Sequence, residues 1–164
     1  MKKKICYVDM DGVLADFEKA LYAMYPLLTH YQKGSDELKE QIDAVCSTKE
    51  GCRIFLNLEP IENAVTAFNI LCQQYDVVIH STPMWHVPES FMDKRIWVEK
   101  VLGINGVKKL MLSHRKELPA GDYLIDDRLK HGVTEFKGEH VHFGQPGFEN
   151  WIKVIEYLRI KDNW

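Results

Sequence analysis

Ile5-Cys6-Tyr7-Val8-Asp9-Met10-Asp11-Gly12-Val13-Leu14 is the stretch on which the reading of this chain turns. Residues 4–9 form an apolar run ending in a carboxylate. A second carboxylate follows two positions later, and Gly12 lets the chain turn. A short apolar run bounded in this way reads as a buried strand. Two acids where such a strand emerges repel each other and resist burial unless a cation sits between them. Aspartate is short and offers only oxygen, which suits Mg²⁺. The stretch therefore predicts a metal-binding, catalytic strand end.

Outward from it, the same kind of strand recurs at Asp76–Ser81, 109–113 and 123–127, with a weaker one at 139–143. Helical patterns fill the gaps. Residues 61–75 put Ala64, Ala67, Phe68, Leu71 and Cys72 on one side. Pro88–Leu102 opens on proline and stops at Gly103, the usual asymmetry of helix ends. Residues 148–160 carry Trp151, Ile152, Ile155 and Tyr157 or Leu158 as an apolar stripe. Strands separated by helices of this length predict an α/β fold, a Rossmann-like parallel sheet with helices on both faces. Ligands of such sheets sit beyond the carboxyl ends of the strands.

Residues 16–58 break the alternation. They read as two helices, 16–31 and 35–46, joined by Lys33-Gly34-Ser35 and returning through Ile54-Phe55-Leu56 to Glu59-Pro60. The expected organisation is an α/β core built from 1–15 and 59–164, with a small helical cap, 16–58, inserted after the first strand. A segment rooted beside the acids can cover them and exclude water. A hairpin that only packs on the sheet is the alternative.

Composition narrows the partners. A chain of 164 residues with 46% hydrophobic content can bury one core plus a small insertion. A net charge of −3 and a pI near 6.2 argue against coating a nucleic-acid polymer. No apolar stretch reaches the roughly 20 residues that span a bilayer. Lys2, Lys3 and Lys4 lead straight into the first strand, without the apolar segment of a secretion signal. The expectation is a cytoplasmic protein, monomer or homodimer, with no membrane partner. Cys6 and Cys72 read as small buried hydrophobes. Cys46 and Cys52 match no metal-binding spacing, and a reducing compartment disfavours a disulfide between them.

Chemistry collects at the strand ends. After the Asp9/Asp11 pair, the second strand stops at Ser81-Thr82-Pro83, whose hydroxyls and turning N–H groups suit phosphate oxygens. The third leads into Ser113-His114-Arg115-Lys116, a source of cations for the same anion. The fourth ends in Ile125-Asp126-Asp127-Arg128, a second acidic pair after a hydrophobic run. Each fragment alone has a bland reading, as a turn cap, a loop cap, an exposed cation or a strand-end ion pair. Together and in this order they point to phosphate chemistry.

In these motifs the chain resembles the haloacid-dehalogenase-like (HAD) hydrolase superfamily: Asp-x-Asp at the first strand, Ser/Thr at the second, then a lysine, then an acidic pair at the fourth. It is more closely similar to the 5′(3′)-deoxyribonucleotidase family. The local matches are Asp-Met-Asp-Gly-Val-Leu-Ala-Asp-Phe (9–17), Leu-Glu-Pro (58–60), Trp-Val-Glu-Lys (97–100) and Leu-Ile-Asp-Asp-Arg (124–128). The resemblance implies a Mg²⁺-dependent phosphatase acting on a small phosphate monoester, a nucleoside monophosphate. Asp9 would be the nucleophile that carries an aspartyl-phosphate, and Asp11 the general acid and base. Ser81, Thr82 and Lys116 would bind the substrate phosphate. Asp9, the Asp11 backbone carbonyl and Asp127 would hold the metal, with Asp126 a further candidate. The presence of Asp11 favours phosphate esters over haloacids, since a dehalogenase has no leaving alkoxide to protonate. A sugar phosphate or other metabolite as substrate, or an idle binding module, are the alternatives.

The remaining polar residues read quietly. His140 and His142 share one strand face, but no further ligand cluster accompanies them, so a structural role is expected rather than zinc. His80, mid-strand, reads as a hydrogen-bonded core residue, and His86 and His114 lie near the rim. Phe17, Tyr25 and Phe55 read as lining for the cap or as core.

Overall fold

In a computed structural model describing residues 2–164, five strands form one parallel sheet in the order β3-β2-β1-β4-β5. They are β1 (Ile5–Val8), β2 (Asp76–Ser81), β3 (Leu110–Leu112), β4 (Tyr123–Asp126) and β5 (Glu139–His142). β1 lies at the centre, with Val8 beside Ile79 on one side and Ile125 on the other. Because every pairing is parallel, the carboxyl ends of all five strands share one edge, and that edge holds the site.

The two faces of the sheet are covered unequally. Cys6, Val8, Val77, Ile79, Ile125 and Val141 form one face and join a single buried cluster. The same cluster takes in Phe68 and Leu71 of α3 (Ala64–Gln74), Trp97 and Val98 of α4 (Pro88–Leu102), and Trp151 and Leu158 of α5 (Trp151–Asp162). The opposite face, Tyr7 and Leu124, is covered by Val133 and Phe136, in and just after a 3-10 turn at Val133–Glu135. The connections on that side, 113–122 and 127–138, carry Pro119, Gly121, Gly132 and Gly138, which leaves room for a turn rather than an α-helix.

Local chemistry sets the element ends. Asn150 starts α5 by accepting a hydrogen bond from the Lys153 N–H at 3.1 Å, and Pro88 occupies the first turn of α4. The inserted segment holds α1 (Phe17–Met24) and α2 (Asp36–Cys46), with 3-10 helices at Pro26–His30 and Gly51–Asn57. The helix expected over 16–31 thus stops at Met24, because Pro26 cannot continue it. The 3-10 helix at Gly51–Asn57 has no helical period in the sequence. Asn63, at φ 63, turns the chain just before α3, which starts at Ala64 rather than at residue 61. The cysteines are free, and no helix among the described residues is long and apolar enough to cross a membrane.

Candidate active site

Two hydrogen bonds fix Asp9 at the exit of β1. Its backbone N–H donates to the Ile125 carbonyl at 2.8 Å, and its Oδ1 accepts from the Met10 N–H at 2.8 Å. The next turn closes on itself, with the Leu14 and Ala15 N–H groups both donating to the Met10 carbonyl at 2.8 Å. Trp151 braces the turn from below by donating its indole N–H to the Val13 carbonyl at 2.8 Å. A side chain held this way loses little entropy when it reacts.

Lys116 and the acidic pair converge on Asp9. The Lys116 ammonium is buried, 3.0 Å from Asp9 Oδ1, and also bonds Asp126 Oδ2. Asp126 Oδ1 accepts from the Arg128 N–H at 2.9 Å. One carboxylate oxygen each from Asp9, Asp126 and Asp127 lie within 4.8 Å of one another. Burial and the neighbouring Asp9 push Asp126 up to about 7, against the pull of Lys116. Burial raises Asp127 to about 6, with Arg128 opposing and Asp9 adding to it. Burial also works against the Lys116 charge, yet Asp9 and Asp126 outweigh it and raise its pKa.

A hard cation fits this donor set. The three converging groups offer only oxygen, their mutual repulsion is incompletely offset, and Asp127 Oδ1 is buried without a protein partner. Gly12 makes that arrangement possible. Its φ is +77°, and a Cβ built there would lie 2.4 Å from Asp127 Oδ2. Gly12→Ala is therefore expected to displace Asp127 and weaken Mg²⁺ binding by roughly 10–100-fold. A Mg²⁺ titration followed by calorimetry checks this, and wild-type affinity in the variant would show that Asp127 is not a ligand.

α4 contributes a residue that the motif pattern does not contain. Lys94 is 0% exposed; its ammonium bonds Asp11 Oδ2, donates to Ser81 Oγ at 3.0 Å, and stands 4.6 Å from the centre of the Phe55 ring. The contact leaves Asp11 Oδ1 buried and without a partner. Next to Lys94, Asp93 is held by two bonds of 2.8 Å from Arg53 of the inserted segment. The signal was available in the sequence: Ser90, Asp93, Lys94 and Trp97 follow helical spacing on a face that should be apolar, and all four are buried. Lysine and aspartate are rarely buried unless paired, and here each has its partner, Asp11 for Lys94 and Arg53 for Asp93.

Other expected residues lie as follows. Ser81 is buried at the end of β2, with its oxygen facing Lys94. Thr82 lies on the same rim, but its hydroxyl donates to the Ser113 carbonyl at 3.0 Å and ties the two loops together. Arg115 is paired with Glu117 at the surface, so Lys116 is the cation turned inward. His140 and His142 stack at 4.9 Å and place Nε2 at 3.0 Å and 3.1 Å from the Asp126 and Asp127 carbonyls. They support the acidic loop, and no histidine-containing metal cluster occurs among the described residues. His80 is buried as expected, yet neither ring nitrogen has a hydrogen-bond partner; burial, with Lys116 nearby, lowers its pKa to about 4 and keeps it neutral. Phe17 and Phe55 stack on each other at 5.2 Å and are buried, and the Tyr25 hydroxyl meets Thr48 at 3.2 Å.

Comparison with known proteins gives the chain's family and fold. Residues 3–164 fit the family model described as 5′ nucleotidase, deoxy (pyrimidine), cytosolic type C protein. A Vibrio phage KVP40 protein, provisionally named a 5′(3′)-deoxyribonucleotidase, is 42% identical over 156 residues, 95% of this chain and 85% of its own length. The human cytosolic-type 5′(3′)-deoxyribonucleotidase is 34% identical over 138 residues, 74% of this chain and 69% of that protein. Among solved structures, YfnB from Bacillus subtilis, provisionally a HAD-hydrolase and bound to magnesium, aligns with a TM-score of 0.59 at 12% identity. That match covers 96% of this chain and 99% of the other. At that identity the likeness speaks for the fold alone.

Proposed function

This chain belongs to the cytosolic type C 5′-deoxynucleotidase family, within the HAD-like hydrolases, and from that premise we propose that it hydrolyses deoxyribonucleoside monophosphates through a phosphoryl group carried on Asp9. The observation that carries the reading is the meeting of Asp9, Asp126 and Asp127 within 4.8 Å, with Lys116 between two of them. Such a site is built to take a dianion next to carboxylates. Phosphoryl transfer needs in-line approach and charge neutralisation more than covalent machinery.

The steps follow from the positions. Asp9 attacks phosphorus and forms the acyl-phosphate bond as the bond from phosphorus to the ester oxygen breaks. Asp11 gives the departing alkoxide a proton, its carboxylate held in place through Oδ2 by Lys94. Water then attacks phosphorus, Asp11 takes its proton, and phosphate leaves with Asp9 restored. Lys116 and Ser81 hold the equatorial oxygens of the transferring group, and Thr82 can add its backbone N–H. When bound by Asp9, Asp127 and the Asp11 backbone carbonyl, Mg²⁺ supplies positive charge against the phosphate dianion. The inserted segment, fastened to α4 by Arg53, serves as the cap over the cleft.

A panel of ribo- and deoxyribonucleotides and sugar phosphates, assayed for phosphate release with Mg²⁺ and with EDTA, tests this. Preference for deoxyribonucleotides with loss in EDTA is expected. Preference for sugar phosphates would reject the substrate, and full activity in EDTA would reject the metal.

The acidic pair also predicts a pH dependence. Folded-state pKa values raised to about 7 and about 6 mean that the folded protein holds protons the unfolded chain has released. In the metal-free protein these two groups therefore contribute stability that is fully present below about pH 4 and falls, by on the order of a few kcal/mol, as pH rises through about 7, while the lowered pKa of His80 works in the opposite direction. Mg²⁺ binds the deprotonated groups and should restore most at high pH. Melting temperature against pH, in EDTA and in Mg²⁺, reads both curves. A Mg²⁺ effect larger at pH 5 than at pH 8 would contradict the assignment.

A further inference from the structure

We propose that Trp85, backed by His114, is the platform on which the nucleobase of the substrate stacks. The proposal rests on the nucleotidase reading and deepens it by naming the residue that meets the base.

Trp85 is 73% exposed, whereas Trp97 and Trp151 of the same chain are buried. An indole exposed in this loop offers a flat apolar face on the same rim of the sheet as the site. It is four residues beyond Ser81, in the loop leading from the phosphate-binding end of β2 to α4, so its Cα lies at most about 14 Å from that strand end. The ring of His114 meets it edge to face, with centroids 5.7 Å apart, and His131 meets His114 in the same way at 6.1 Å.

This row of rings is anchored to the catalytic centre. The Lys116 N–H donates to the His131 carbonyl at 2.7 Å, and the Lys116 ammonium is 3.0 Å from Asp9. The Thr82 hydroxyl donates to the Ser113 carbonyl at 3.0 Å and so ties together the loops that carry Trp85 and His114. The aromatic rings at the root of the inserted segment are already spent. Phe17 and Phe55 cover each other, and Phe55 lies beneath Lys94. A flat apolar base entering the cleft finds an open stacking surface in Trp85 on the core rim. Stacking of this kind tolerates any base, because each presents a π-face.

The test compares thymidine 5′-monophosphate with 2-deoxyribose 5-phosphate, which keeps the sugar and phosphate and lacks the base. Trp85→Ala should lower kcat/KM for the nucleotide roughly tenfold more than for the sugar phosphate, chiefly through KM. Trp85→Phe, which keeps a ring, should recover most of the loss. In the Asp9→Asn background, where nothing is turned over, thymidine 5′-monophosphate should quench tryptophan emission, and Trp85→Phe should remove that quench. Equal losses on both substrates, or none on the nucleotide, would overturn the platform while leaving the nucleotidase reading in place; Trp85 would then be free to serve a protein contact. A wild-type enzyme that cleaves the sugar phosphate and no nucleotide would overturn both.

Discussion

Asp9→Asn abolishes turnover, by roughly 10³-fold or more, and leaves the fold intact. The amide keeps the shape of the carboxylate and an oxygen for the Met10 N–H, but it cannot accept a phosphoryl group. It also removes one of the three negative charges crowded within 4.8 Å. The Asp9 charge helps to raise both Asp126 and Asp127, so both should titrate at lower pH in the variant. The melting temperature in EDTA near neutral pH should accordingly equal or exceed that of the wild type. Inactive and at least as stable is a combination that a merely structural aspartate would not give. Retention of more than a few per cent of activity would place the nucleophile elsewhere.

Lys94→Met produces the second large effect, and it divides between stability and catalysis. The substitution fills the same space but leaves the Asp11 carboxylate without its partner in a mostly buried setting. Breaking such a pair from one side costs about 3–5 kcal/mol. Adding Asp11→Asn to the variant removes the orphaned charge and should recover much of that stability, but none of the activity. Catalysis should fall roughly 10²-fold, because Asp11 is no longer held to meet the leaving oxygen. A substrate with a good leaving group, such as p-nitrophenyl phosphate, needs less protonation and should lose less. If both substrates fall equally, Lys94 does not act through protonation of the leaving group by Asp11.

Much of this was legible in the sequence because each strand end announces itself twice, by an apolar run and by the polar residue that stops it. Asp9 after Tyr7-Val8, Ser81 after Ile79-His80 and Asp126 after Leu124-Ile125 could be placed on one edge once the strands were parallel. The helical face of α4 was harder to read. Lys94 sits among Phe91, Met92 and Ile96, where a single lysine looks like a solvated position. Only the joint spacing of Ser90, Asp93, Lys94 and Trp97 shows a polar face turned inward. The inserted segment was harder again. Pro26 divides its first helix, and the 3-10 helix that carries Arg53 has no period to detect. Its position is set by long-range partners, Arg53 on Asp93 and Leu58 under the Trp97 indole, which sequence spacing does not encode. The thin cover over Tyr7 and Leu124 likewise follows from loop length and glycine content rather than from strand pattern.

The most direct measurement is chemical capture of the phosphoryl group during turnover. Enzyme mixed with excess deoxyribonucleotide and Mg²⁺ is quenched and treated with borohydride, which reduces an acyl phosphate to an alcohol, and the peptides are then weighed. Homoserine at position 9 is the predicted result, absent without substrate and absent in Asp9→Asn. Steady phosphate release with residue 9 never converted, or with the phosphoryl group on another side chain, would contradict the account.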